Sequence, residues 1–224
     1  MLVLVGACSG GSDPTPEDVD APPTSTCDPA TVLPSNYRPI ATVSTGAVTV
    51  TTASGVTSGT IDATAGGLAG SPDNPYIYVD LAAGTKVALD DLAARTSTAW
   101  DVALKRSSLR VNGGDSGTGG RKLAVVQANN LASVTAPSTG YTEDDFTDAD
   151  CMLVGLPGGE PASAFGEWYD YDPVMHTVTP KAEVYVIERP GGTRTALRLV
   201  TYYGDATNPM RGAYYQVEWK QLAP

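Results

Sequence analysis

With 224 residues, 25 acidic against 14 basic side chains and a formal net charge of -11, the chain lacks the lysine and arginine excess that sequence-independent nucleic-acid binding draws on. Its length fits one β-rich domain of roughly 185 residues plus a tail. The 24 glycines and 17 prolines, with abundant Thr and Val and only short helical patterns, favour an all-β, antiparallel fold of many short strands joined by turns.

Leu2 to Ala7 are apolar and small, and Val5-Gly6-Ala7-Cys8 fits a bacterial lipobox, whose cysteine is acylated and becomes the mature N-terminus. A spanning helix needs about 20 apolar residues, and only seven residues precede Cys8. A signal peptide has a charged start and a longer apolar centre, so residues 1–8 read as the end of a lipoprotein signal whose true start lies upstream or has been trimmed. The alternative is the apolar start of a cytosolic protein with an incidental cysteine. Ser9 is compatible with export to the outer membrane, on its periplasmic or cell-surface face, with the membrane touched only through the lipid at Cys8. Residues 9–35 are rich in Gly, Ser, Pro, Thr and acidic residues without apolar periodicity, which predicts a disordered tether ahead of a β domain over 36–224. If Cys8 is lipidated, Cys27 and Cys151 remain, and an oxidising compartment permits a disulfide worth about 3–5 kcal/mol on the chain-entropy account. Two free thiols are the other outcome. Without Cys-x-x-Cys spacing the three cysteines do not suggest zinc.

From Ile40 to Ile61 threonine and valine alternate with small residues, which predicts edge-like strands. Tyr76 to Leu81 is a clearer strand, followed by a turn at Ala83-Gly84 and a short run through Val87. Trp100, Val102 and Leu104 sit at spacing two, as do Leu109 and Val111, which predicts two strands with one buried face. Leu123 to Val126 and Leu131 to Val134 would continue the sheet. Glu183 to Glu188 and Ala196 to Tyr203 alternate around Pro190-Gly191-Gly192, a strong hairpin signal, and Tyr214 to Trp219 supplies a last strand.

The glycine-rich stretch Asn112 to Gly120 contains Gly114-Asp115-Ser116-Gly117, which matches the nucleophile surroundings of chymotrypsin-like proteases. That fold places its histidine before the serine, whereas the sole histidine, His176, comes 60 residues after Ser116. The elbow Gly-x-Ser-x-Gly fails at Thr118, and no glycine here is followed by the Lys-Ser or Lys-Thr of a P-loop. A glycine-rich strand connection is the expectation. Glu143, Asp144, Asp145, Asp148 and Asp150 crowd the next connection. Calcium draws on such oxygens, but the spacing misses the Asp-x-Asp-x-Asp-Gly loop, so a solvated acidic connection is expected. One histidine and no activated cysteine leave no acid–base machinery, and the chain is not read as an enzyme.

Trp100-Asp101-Val102-Ala103-Leu104, then an arginine, then Asn112 to Gly120 with its paired glycines, resembles the HmuY family of haem-binding bacterial outer-membrane lipoproteins. The resemblance continues through Val134 to Thr142, Trp168-Tyr169-Asp170-Tyr171 and Lys181 to Tyr203, covering about two thirds of the chain in matching order. It implies a β-sandwich-like HmuY fold, haem as the ligand and an outer-membrane receptor as partner, in iron acquisition. The histidine ligands of the best-known member do not carry over: the position after the tryptophan corresponds to Asp172 or Pro173, and the excursion from Tyr141 to Trp168 contains no histidine. Other members use methionine, which points to Met152 paired with Met175 or His176, with Trp168, Tyr169 and Tyr171 as an aromatic wall. The alternative is the same scaffold without a haem site, binding another ligand or a protein partner through residues 141–177.

Overall fold

Alternation of apolar and polar residues along short strands gives each sheet one apolar face, and two such faces close on each other. The computed structural model describes residues 27–156 and 159–223. The lipobox with Cys8 and most of the expected tether lie outside these residues. One sheet has six strands in the order β1 (Val48–Ala53), β2 (Val56–Asp62), β12 (Tyr214–Gln221), β11 (Arg194–Thr201), β10 (Glu183–Glu188) and β7 (Lys122–Gln127), every pair antiparallel. The second has four: β4 (Thr85–Val87), β3 (Ile77–Asp80), β5 (Val102–Lys105) and β6 (Ser108–Val111). A separate hairpin pairs β8 (Tyr169–Asp172) with β9 (Thr177–Pro180). The architecture is the all-β antiparallel sandwich expected.

The central core lies between the sheets, where Ile77, Val79, Val102, Leu104, Leu109 and Val111 meet the inward side chains of the large sheet. Trp168 and Trp219 are buried within it, and each indole N–H donates to a backbone carbonyl of another segment, Ser107 and Leu81 respectively, both at 2.8 Å. Smaller apolar layers cover both outer faces. Behind the four-stranded sheet lie Tyr76, Tyr78, Trp100 and Ala103 with Ala94 of the short helix α2 (Asp91–Ala94). Trp100 thus sits on the opposite side from Val102 and Leu104, contrary to the spacing-two expectation, because β5 starts only at Val102 and the chain bends before it. Leu131 and Val134 form no strand. They sit in a turn and pack onto Val184, Val186 and Ala196 behind the large sheet.

Residues 27–35 do not behave as tether. Cys27 is bonded to Cys151 with Cα atoms 5.3 Å apart, Asp28 caps a one-turn helix α1 (Pro29–Val32) through the Ala30 amide, and Leu33 is buried. The fixed chain begins earlier than composition indicates because a covalent staple and one apolar anchor outweigh a polar, proline-rich sequence.

Candidate ligand-binding site

The glycine-rich stretch is a structural connection. Its glycines wrap the side chain of Asn112, which donates to the carbonyls of Ser97 and Trp100 and accepts from Gly119 N at 3.0 Å. A Cβ at Gly117 or Gly119 would lie 2.4 Å from that side chain, so only glycine fits. Beside it, the buried Asp101 is held by Arg121 and Arg189. Ser116 is buried, with its hydroxyl donating to Asp144, while His176 belongs to the β8–β9 turn and bonds Tyr171.

Asp144 corrects the expectation of a solvated acidic connection. It is almost fully buried and accepts from Val111 N at 3.0 Å and Ala164 N at 2.8 Å as well as from Ser116. Burial raises its carboxyl to about 6, against the lowering pull of these hydrogen bonds and Arg110. Asp115 reciprocates, accepting the Phe146 and Thr147 amides. The excursion is therefore fastened to the glycine-rich stretch at both ends of a carboxylate pair.

Past this fastening, the excursion and the β8–β9 hairpin meet over an open cleft of about 220 Å³, lined by Leu156, Glu160, Glu167, Tyr169, Tyr171 and Lys181 among others. Glu160 accepts from Ser107 Oγ at 2.8 Å and lies 3.5 Å from Tyr169 Oη. Tyr169 is pushed above the usual phenol range by burial and by Glu160.

Of the residues singled out in the sequence, Tyr171 and His176 come together: Tyr171 Oη and His176 Nδ1 are 2.7 Å apart and the rings 6.2 Å. Asp172 accepts the amides of Val174 and Met175, which holds its carboxyl below the usual range and sets the turn. That turn puts His176 at φ 53 and leaves Val174 and Met175 at 82% and 67% exposure. Met152, 64% exposed, stands next to the disulfide on the excursion. None of Met152, Met175 and His176 is among the described residues lining the cleft. Tyr169 and Tyr171 do line it. Trp168 belongs to the core, 4.7 Å from the Tyr169 ring and 5.5 Å from Tyr215.

Sequence reasoning passed over Asp144, Asp91 and Lys105. Asp91 accepts from Tyr76 N, Tyr78 Oη and Ile40 N. Lys105 is 1% exposed and its Nζ has no hydrogen-bond partner among the described residues, lying 5.5 Å from the Tyr76 ring centre. Burial lowers its amine to about 8. The signal was present for Lys105 alone: it continues the Ala103 register of β5, on the face away from the central core.

These features define a two-sheet β-sandwich that presents ligand-type side chains on a surface hairpin and assembles no set of three or more metal-binding residues among those described. The HmuY protein family profile matches residues 73–217, and the chain belongs to that family. It is a family of binding proteins rather than enzymes. A candidate lipoprotein from Bacteroides fragilis superposes with a TM-score of 0.53 at 18% identity, covering 80% of this chain and 98% of that one. The apo HmuY analog of Tannerella forsythia gives 0.52 at 16% identity, covering 75% and 95%. At these identities the likeness is one of fold. A search of curated proteins finds no match.

Proposed function

We propose that this chain is a lipid-anchored binding protein that captures haem outside the cytoplasm and passes it to an outer-membrane receptor. The observation that carries the reading is the Tyr171–His176 pair: with Nδ1 engaged by the phenol, Nε2 is the nitrogen left for iron. The donor set fits haem in kind, since imidazole and thioether are among its axial ligands, and Met175 adjoins His176 while Met152 stands on the neighbouring excursion. Haem supplies the iron that these donors bind. The cleft itself is smaller than the roughly 300–1,000 Å³ of ordinary ligand pockets, so a porphyrin would lie on the open face of the hairpin. Cys8 is the anchor in this reading, at the end of a lipoprotein signal.

The test is a haem titration followed by the Soret band, repeated with His176→Ala, Met175→Ala and Met152→Ala. A shift at micromolar haem that is lost in His176→Ala supports the reading. No shift removes haem, and the same shift in all three variants removes these side chains as its ligands. The second reading, a protein partner held through residues 141–177, draws on the exposed apolar side chains of Met152, Val174 and Met175.

A further inference from the structure

Among the described residues, strand β1 is an outer edge of the six-stranded sheet, and residues 41–61 contain no charged residue and no proline. Charges, prolines and bulges are the usual devices that keep edges from pairing. The β1–β2 connection is the two-residue turn Ser54-Gly55, both at positive φ, with Ala53 opposite Val56. That turn makes Ala53 and Val56 a hydrogen-bonded pair, so Thr51, Thr49 and Ala47 also bond towards β2. The Asp62 N to Ala47 O bond at 2.9 Å and the close Thr52–Thr57 hydroxyls fit this parity. The N–H and C=O groups of Val48, Val50 and Thr52 therefore point away from the sheet.

The other edges of the two sandwich sheets are protected. At the far side of the large sheet, Leu123 of β7 exchanges both backbone bonds with Thr142. In the small sheet, the amide of Val111 on β6 is taken by Asp144, and β4 has only three residues.

We propose that β1 pairs with β1 of a second copy of this chain about a two-fold axis, joining two six-stranded sheets into one. The parity allows a symmetric antiparallel register with Val50 opposite the partner's Val50, Val48 opposite the partner's Thr52, and Thr49 opposite the partner's Thr51. About six backbone hydrogen bonds form in this register. Thr49 and Thr51 are exposed and face one another as threonine pairs, a favourable cross-strand combination. A second copy is the occupant because the strip offers no charged side chain with which to recognise a basic or acidic partner. It is also a neutral place where two chains of net charge -11 can approach.

The experiment is sedimentation velocity of the full chain, without haem, over a micromolar concentration series. The wild type shows a reversible dimer. Thr49→Lys/Thr51→Lys places like charges opposite each other and weakens it at least about tenfold, while the melting temperature stays unchanged at concentrations low enough that both proteins are monomeric. Val125→Lys, on the β7 edge, leaves dimerisation intact. A wild type that is monomeric throughout, a Thr49→Lys/Thr51→Lys variant that dimerises as well as wild type, or loss of the dimer only in Val125→Lys overturns the proposal. The absence of haem separates this result from the ligand reading.

Discussion

Ser116 donates its hydroxyl to the buried carboxylate of Asp144, joining a glycine-rich strand connection to an acidic excursion 28 residues further on. In isolation the pair suggests a nucleophile and its helper. In place it is a rivet, because the carboxylate also accepts the Val111 and Ala164 amides.

This rivet has a pH signature. The folded carboxyl titrates near 6, above its unfolded value of 3.8, so its stabilising contribution is full below about 4 and is lost as pH rises through 6. The shift corresponds to about 3 kcal/mol. Urea denaturation of wild type and Asp144→Asn across pH 4–7 is expected to show the wild type losing about that much relative to the variant. Parallel profiles would mean that the carboxyl is ionised throughout.

Lys105 gives the complementary case. Its amine is lowered from 10.5 to about 8 by burial, so the folded state is disfavoured while the group is charged, and stability rises as pH goes from about 8 towards 10.5. Lys105→Met removes a buried ammonium without a hydrogen bond and keeps an unbranched, apolar stem. The variant is expected to be more stable than wild type at pH 7 by about 1–3 kcal/mol, with the gap closing by pH 10 in thermal melts.

Cys27 and Cys151 close a loop with a sequence separation of 124. Reduction, or Cys27→Ser, is expected to lower unfolding stability by about 2–5 kcal/mol. The segment carrying Leu33 and Tyr37 should become sensitive to limited proteolysis, read by the new N-terminus of the trimmed product.

Tyr171→Phe removes the phenol that orients His176. Under the haem reading it lowers haem affinity by about tenfold, as loss of the group supporting a metal-binding histidine does, and leaves the melting temperature unchanged because Tyr171 is exposed. Trp168→Ala should do the reverse, costing about 3–5 kcal/mol of stability because its ring lies in the core. Soret titration and thermal melts of the two variants separate the roles.

The sandwich was legible in the sequence wherever local pattern dominates. The period-two runs of β3, β10 and β12 and the Pro190-Gly191-Gly192 hairpin lie where alternation and turn chemistry put them. The departures arise where tertiary partners override local signal. Leu131 and Val134 read as a strand but serve as apolar plugs, and Trp100 turns to the opposite layer from Val102. Asp144 looks like one carboxylate among five, and only the fold reveals that amides from β6 and residue 164 converge on it. The hairpin of Tyr171 and His176 was visible as motif residues, yet their contact across the turn depends on the Asp172 cap, which spacing alone does not report.

The staple at Cys27 also decides where a pull is felt. Any tension on the preceding chain enters the domain at Cys151, beside Met152 and on the strip that borders the β8–β9 hairpin, as well as through residues 28–47 to β1. A load on residues 1–26 is thus divided at Cys27 between the excursion that carries Met152 and the main chain that leads into the large sheet.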